Sequence, residues 1–493
     1  MKYLDNFLNA ITMYRLVLYS LLSFIGFASV LGFAGILPYS GFAILFAALF
    51  LKIVCWLTNY LFSKAFNVPA NAESSHITAL ILALVITPPK SIEDFGFLFW
   101  AGVLSMVAKY ILAIGRKHLF NPVAISLVIC MFAISQSASW WVGTVWMLPL
   151  VILCGLLITR KLRRWDLVIT FLAVSFINTI VWGVSKGGGV LETIEKNMLY
   201  SPLFFFAFIM LTEPLTTPPT RRLRIIYAAF IGLLIPPQVH IGSLYSTPEV
   251  ALVIGNIFSY LVSSKQRLVL QLTSKIKIAA NAYDFLFTSS EPIKFSPGQY
   301  LEWTVPGRWD SRGNRRYFTI ASAPTETLLR VGVKFPEKPS AFKNELLSLQ
   351  TGDHIIAGQL AGDFTLPKDT SKKLVLIAGG IGITPFRSMI ASLIATNEKR
   401  NITLFYVIRD ESEIAYKDVF EQAQQELGIK TVYVITKTTG HITAEMIEKV
   451  VPDFAECLYY LSGSNAMVNA YKKLLKQIGI QSMHIKTDYF PGY

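Results

Sequence analysis

The feature that most constrains this chain is a run of ten apolar segments that fills its first half and then stops. Their edges fall at 15–37, 41–63, 75–88, 94–114, 120–137, 141–159, 166–183, 199–213, 223–237 and 248–263. A helix needs about 20 apolar residues to cross a bilayer. The third and eighth segments are too short to cross comfortably, and both end in the same chemistry. Thr87-Pro88-Pro89 closes one; Thr212-Glu213-Pro214 and Thr217-Pro218-Pro219 close the other. Two sets of five, each with its proline-stopped member in third place, predict an inverted 5+5 repeat. Broken helices in such folds meet near the midplane and offer backbone groups to a ligand.

Everything after Lys265 is written differently. Over the whole chain hydrophobic residues make up 53% and charged ones 15%, but the average conceals the break near residue 263. The net charge of +14 does not point to nucleic acid, because the cations of the first half sit in short clusters between apolar runs. The loops on the N-terminal side carry Lys2, Arg15, Lys64, Arg116, Lys117, Arg160, Lys161, Arg163, Arg164, Arg221, Arg222, Arg224, Lys265 and Arg267; the opposite loops carry only Lys90, Lys186 and Lys196. That asymmetry predicts a multi-pass protein of the plasma (inner) membrane with its N-terminus and soluble half in the cytoplasm. The N-terminal apolar run is span-length and lacks a small-residue cleavage site, so it does not read as a cleaved signal peptide.

Redox chemistry is narrowed by what is scattered. Cys55, Cys130, Cys154 and Cys457 form no C-x-x-C pair, which argues against a thiolate-held iron–sulfur cluster and a disulfide framework. His76, His118 and His240 cannot supply two axial pairs for a transmembrane haem chain. Intramembrane polar residues are the candidates instead. Lys52 and Lys109 lie within apolar spans, where a charge costs about 2.5–3.5 kcal/mol on insertion scales. Lys52 reads as snorkelling. Glu213, at the break of a short helix, reads as a cation or flavin contact or a helix-end ion pair, and Asn121 as a helix cap or a ligand.

The soluble half has two grammars. From 268 to 368 short alternating strands separated by turns predict an antiparallel β-barrel. Within it, Arg316-Tyr317-Phe318-Thr319-Ile320-Ala321-Ser322 interleaves a fixed cation, aromatic rings and hydroxyls. A flavin dinucleotide needs that set: a guanidinium fork for the pyrophosphate, a ring face for the isoalloxazine, a donor near N5. Ser340, at a helix start, suits a phosphate or is a plain N-cap. From 369 to 493 strands alternate with helices. The strand Leu374 to Ala378 runs into Gly379-Gly380-Ile381-Gly382-Ile383-Thr384-Pro385 and a helix from Phe386, a loop that lets backbone approach a pyrophosphate. Further strands are expected at Ile402–Ile408, Val432–Thr436 and Leu458–Leu461, the first ending at Arg409-Asp410 and the last at Ser462-Gly463-Ser464. Arg409 could meet a 2′-phosphate and Asp410 a 2′-hydroxyl, so the dinucleotide stays open as NAD(P)H.

Two resemblances follow from these motifs. Ser74 to Leu80 running to Thr87-Pro88-Pro89, Lys109, the run Gly115 to Ala124, and Met210 to Pro214 with Thr217-Pro218 resemble the D subunit of the Rnf complex and the B subunit of the sodium-pumping NADH:quinone reductase. The likeness spans most of 70–235. It implies a ten-helix domain over 1–263 that holds flavin and passes electrons through the membrane, in some members coupled to ion transport, with Thr78, Lys109, Asn121, Thr212, Glu213 and Thr217 as flavin or ion candidates. The chain lacks the S-G-A-T-like motif that carries that family's covalent FMN, so FMN or riboflavin here would be non-covalent. Pro297-Gly298-Gln299-Tyr300, Arg316 to Ser322, the Ser340 segment, Gly379 to Pro385 and Gly463 to Met467 resemble, in order and spacing, the ferredoxin–NADP reductase family.

That second likeness implies an FAD barrel followed by a nicotinamide-dinucleotide domain. Arg316 would grip the pyrophosphate, Phe318 lie against the flavin and Thr319 donate toward N5. Ser340 and Lys334 would sit near the phosphates. Gly379, Gly380, Gly382, Thr384 and Pro385 would shape the nicotinamide cleft, with Gly463 where the ring stacks and Ser462 beside it. Gln299, Tyr300, Tyr317, Ser322, Val333, Ala341, Phe342, Arg409 and Met467 complete the implied contacts, and Tyr493 would close over the flavin. Many members have Cys-Gly-Pro where this chain has Ser462-Gly463-Ser464. The expected activity is transfer of hydride from NAD(P)H to FAD, with electrons leaving into the membrane toward quinone or an outer-face acceptor. The alternatives are a haem conduit of the ferric-reductase type and a transporter gated by dinucleotide state.

Overall fold

The computed structural model describes residues 7–8, 11–66, 72–114, 117–235, 239–241, 244–262, 268–289, 291–307 and 314–490. The chain divides into two units, Met1–Lys265 and Gln266–Tyr493.

The first unit is helical. Among the described residues, α1 (Met13–Phe33), α2 (Gly41–Ala65), α4 (Asp94–Ile111) and α7 (Trp165–Ser185) are long and apolar enough to cross a membrane; α3 (Ala72–Val85) lies between α2 and α4. Their outward faces carry large apolar side chains such as Val30, 62% exposed, and Phe42, 75% exposed. Water does not stabilise such faces; lipid does. The other apolar segments form shorter helices: α5 (Pro122–Ala133), α6 (Leu148–Leu162), α10 (Arg221–Leu234) and α11 (Pro248–Val262). The expected eighth segment is one turn, Leu203–Phe205, that widens into a π-helix over Phe206–Met210; together they are α9. Among the described residues, each of the ten expected segments contains a helix, four of them full-length and the others shorter. An additional exposed helix, α8 (Val190–Leu199), occupies what reads as a loop.

The expected sixth segment, 141–159, does not begin as a helix. Residues 139–147 form a turn that packs on the end of α3. Four orphan carbonyls there find donors. Trp140 N–H donates to Val85 O at 2.8 Å and Val142 N–H to Leu84 O at 3.3 Å. The Trp141 indole N–H is shared between Ala83 O and Ile86 O, each at 3.0 Å, and Ser139 Oγ donates to Val85 O at 3.3 Å. A helix can stop in apolar surroundings only when its last carbonyls are met this way.

The second unit holds two sheets. Six antiparallel strands, β1 (Leu268–Ala279), β2 (Ala282–Ser289), β3 (Tyr300–Thr304), β4 (Arg315–Thr319), β5 (Leu329–Lys334) and β6 (His354–Ala361), lie in the order β4-β3-β6-β1-β2-β5. Their inward residues, among them Phe285, Phe287, Trp303 and Val331, form one core with Phe342 and Leu346 of α12 (Ala341–Ser348). Five parallel strands follow: β7 (Leu374–Gly379), β8 (Ile402–Ile408), β9 (Lys430–Ile435), β10 (Leu458–Ser464) and β11 (Ile485–Phe490), in the order β9-β8-β7-β10-β11. Along β7, Leu374, Leu376 and Ala378 enter one core and Val375 and Ile377 another, so the sheet is buried on both faces. The residue pattern does not announce β11, because Lys486 and Asp488 interrupt its apolar run.

Trp141→Phe removes the shared donor and exposes no new surface. It should lower the thermal midpoint of the detergent-solubilised protein by at least about 2 °C, consistent with about 1–3 kcal/mol for lost buried hydrogen bonds. An unchanged midpoint rejects the capping role.

Candidate functional site

The glycine loop sits at the carboxyl end of β7. Gly379 ends the strand, a single tight turn spans Gly380–Ile383, and α13 (Thr384–Thr396) begins immediately. Three glycines here exist for close approach. A Cβ on Gly379 would lie 2.0 Å from Met467 Sδ, one on Gly382 would lie 2.4 Å from Ser462 O, and one on Gly463 would lie 2.8 Å from Met467 Cε. Gly380 differs: φ is +52° and nothing stands within 4 Å of where its Cβ would point. The loop thus packs against the end of β10 on one side and leaves backbone open on the other. Thr384 Oγ1 donates to Ile381 O at 3.2 Å, and Pro385 occupies the first helical turn. The Ser462 hydroxyl is buried and has no hydrogen-bond partner among the described residues.

Arg409 lies exposed just beyond β8. Beside it, both oxygens of Asp410 are engaged. Oδ1 accepts from Ser412 N at 3.2 Å and from Ser412 Oγ at 3.1 Å, and Oδ2 pairs with Lys437. The Lys437 ammonium and the Ser412 donors hold the Asp410 carboxyl down at about 2.

The strand β4 lies at the edge of the antiparallel sheet, with Thr319 opposite Tyr300 on β3. Tyr317 is 42% exposed and its hydroxyl donates to Glu302 Oε2 at 2.9 Å; Tyr300 meets its ring edge-on at 5.5 Å. The Arg316 guanidinium stands 5.2 Å from the Phe342 ring, which also packs against half-buried Phe318 at 5.8 Å. Thr319 is buried. Several of the expected contact residues also have partners within the protein. Gln299 braces its own turn, accepting from Ser296 N at 2.9 Å and donating to Gly362 O at 3.3 Å. Ser322 Oγ accepts from Arg330 N, and the Val333 side chain is in the core. Ser340 is the N-cap of α12, with Ala341 as the first helical residue, and Lys334 pairs with Glu413 at 2.9 Å. Tyr493 lies outside the described residues.

In the helical unit the structure brings two candidate pairs together. Lys109 does not snorkel: its ammonium donates to Thr78 Oγ1 at 2.9 Å, Ser74 Oγ at 3.0 Å and Ser74 O at 3.1 Å, tying α4 to the short helix α3. Asn121 is a helix cap that also bonds a carboxylate. Its Oδ1 accepts from Val123 N and Ala124 N at the start of α5, while Nδ2 donates to Glu213 Oε2 at 2.8 Å. Asn256 Oδ1 accepts from Asn121 N at 2.7 Å, and Asn256 Nδ2 donates to Tyr227 OH at 3.2 Å. Asn256 and Tyr227 escape a reading of the sequence; a lone Asn inside the apolar run 248–262 is the available signal. Thr212 and Thr217 turn to their own backbone, donating to Phe208 O and Pro214 O.

Residues 376–473 match the family model described as the oxidoreductase NAD-binding domain, and residues 142–268 match that of the NQR2, RnfD, RnfE family. The chain resembles two families, one in each half. Both resemblances drawn from the motifs hold. Flavohemoprotein A of Dictyostelium discoideum is 25% identical over 44% of this chain and 58% of its own. The F component of the Na(+)-translocating NADH-quinone reductase of Yersinia pseudotuberculosis is 28% identical over 39% of this chain and 57% of its own. The chain thus spans little more than half the length of these curated relatives. A solved structure, the Amycolatopsis cytochrome P450 reductase GcoB, aligns at 25% identity with a TM-score of 0.42, over 46% of this chain and 71% of that one.

Asn121→Leu removes a helix cap and a donor to a carboxylate in apolar surroundings. It should destabilise the protein by about 2–4 kcal/mol, whereas Thr212→Val should cost under about 1 kcal/mol, because the Thr212 hydroxyl bonds, among the described residues, a carbonyl four positions back. Thermal melting of the two variants side by side checks the order.

Proposed function

We propose that this chain is a membrane-bound flavoprotein oxidoreductase that takes hydride from NAD(P)H onto FAD and passes electrons into or across the membrane, to quinone or an outer-face acceptor. The observation that carries the reading is the glycine loop: open backbone at Gly380, a helix N-terminus behind it, and a packed contact with Ser462-Gly463 at the next strand's end. Open α/β sheets bind dinucleotides at such strand ends. The likeness of residues 376–473 to NAD-binding oxidoreductases supports it.

The chain's residues fit the cofactors. FAD, when bound, takes up two electrons together and gives them up singly. Arg316 offers a guanidinium fork to its pyrophosphate, held in place by the Phe342 ring. Tyr317 and Phe318 offer aromatic surface on an edge strand, and Thr319 a hydroxyl. Gly463, closed against Met467, keeps the end of β10 tight beside the buried Ser462 hydroxyl, which lacks a protein partner among the described residues. The first 263 residues form the membrane domain, residues 268–368 the FAD domain and residues 369–493 the NAD(P) domain, the latter two on the cytoplasmic side of the plasma membrane. Within the membrane domain Thr78, Lys109, Asn121 and Glu213 are the polar groups offered to a second, non-covalent flavin or to an ion.

NADPH is the preferred donor on this reading. Asp410 is neutralised by Lys437 and its oxygens are used, whereas the exposed Arg409 side chain has no partner among the described residues, which suits a 2′-phosphate.

The purified protein should show flavin absorbance that NADPH bleaches; no bleaching with either nucleotide contradicts the proposal. Arg316→Ala should weaken FAD binding about 10- to 100-fold, from the loss of charge-assisted hydrogen bonds. Arg409→Gln should raise the half-saturating NADPH concentration about tenfold while moving that of NADH less than about twofold. Equal effects on both nucleotides would remove Arg409 from the 2′-site.

A further inference from the structure

Two side chains of α13, the helix that leaves the glycine loop, reach back to the chain just past the flavin strand. Arg387 Nη1 donates to Ala321 O at 2.9 Å and Ser388 Oγ donates to Ser322 O at 2.7 Å; both side chains are buried. Ala321 and Ser322 follow Thr319 by two and three residues. The arginine is itself held. It pairs with Glu326, whose Oε1 also accepts from Ala323 N at 3.0 Å, and its guanidinium stands 5.7 Å from the Tyr416 ring.

The contacts continue. Arg330 Nη1 donates to Asp284 Oδ2 at 2.6 Å, Tyr416 OH donates to Asp284 Oδ1 at 2.5 Å, and Arg330 Nε lies 3.7 Å from Glu326 Oε2. Burial pushes the Tyr416 phenol well above its ordinary range, so it keeps its proton and donates. The set is two guanidiniums, two carboxylates and a phenol, balanced in charge. It joins β2, β5 and the 320–326 segment to α13 and the turn before α14 (Lys417–Leu427).

Stability alone does not account for such a set. Desolvating paired charges costs as much as their attraction returns, and well-packed apolar residues are as stable or more so. The backbone also carries strain for it: Tyr416, an aromatic residue, sits at φ +58°. Gly332 makes the space, since a Cβ there would lie 2.4 Å from Tyr416 OH. What the ionic set supplies, and an oily contact does not, is one fixed register between the two sheets.

We propose that Arg387 is a positioning residue for hydride transfer: with Ser388, and oriented by Glu326, it locks the glycine-loop helix to the backbone following Thr319. The nicotinamide cleft and the flavin strand are thereby held at one separation. The inference rests on the flavin–nicotinamide reading above and adds the device that sets its geometry. Misplacing reacting groups by about 1 Å costs up to about 100-fold in rate.

The test uses the full-length protein with Arg387→Met, Arg387→Lys and Ser388→Ala. Arg387→Met should slow flavin reduction at saturating NADPH by about 10- to 100-fold while FAD content holds and the half-saturating NADPH concentration moves less than about threefold. In flavin-stripped protein, amide hydrogen exchange over residues 320–323 should speed at least about tenfold. Arg387→Lys, which keeps the charge and one donor, should recover part of both, and Ser388→Ala should show a smaller change of the same sign. Unaltered exchange in Arg387→Met overturns the lock. Faster exchange with an unaltered saturating rate, or a rate loss that merely tracks FAD loss, overturns the positioning role. A wild-type protein that no nicotinamide nucleotide reduces overturns the cofactor reading, and the exchange comparison still decides whether Arg387 holds the strand.

Discussion

A helix that stops in apolar surroundings must give its last carbonyls to a donor, and the first half of this molecule is built around one such stop. The short helix 72–85 ends at Thr87-Pro88-Pro89, where proline cannot continue it. The donors come from residues 139–142, more than fifty positions later, as two backbone N–H groups, an indole and a hydroxyl. The same helix carries Ser74 and Thr78, which receive the Lys109 ammonium. The second short segment, 203–210, is followed by Glu213, which meets Asn121 and through it Asn256 and Tyr227. Polar groups thus gather beside both interrupted helices, where exposed backbone and charge would otherwise be costly.

The second unit solves a different problem with the same economy. A dinucleotide needs backbone close to its phosphates, and backbone comes close only where side chains are absent. Gly379, Gly382 and Gly463 let the loop after β7 settle on the end of β10, while Gly380 leaves its outer face bare. The antiparallel sheet places Arg316 to Thr319 on an edge, where their outer side is not consumed by another strand. Arg387 and Ser388 then bind the helix of the first feature to the backbone that continues the second.

Much of this is legible in the residues, for physical reasons that differ by region. The glycine loop and the strands at 374–379 and 402–408 are written locally: an unbroken apolar run, then glycines, then a proline at a helix start. The antiparallel strands are legible as alternation. What stays hidden depends on distant partners. Asp284, Glu326, Arg330, Arg387 and Tyr416 each look like ordinary surface residues in sequence, and Tyr416 lies 132 positions from Asp284. Trp141-Val142 reads as the start of a span, because an apolar cap and an apolar helix have the same composition; the φ of +52° at Trp140, just before it, belongs to a turn. Helix 190–199 is hidden for the opposite reason, since its exposed charges resemble a loop. The side chains of Gln299 and Val333 brace a turn and fill the core, a placement that a motif's spacing does not reveal.

The central claim of the proposal is that a hydride acceptor in the second unit feeds an electron path in the membrane half of the same polypeptide. The most direct measurement is quinone reduction in proteoliposomes with NADPH supplied to the soluble half. The account predicts flavin bleaching followed by quinone reduction, with both lost together in Arg316→Ala. Bleaching without any electron reaching quinone or an acceptor on the far side would contradict it.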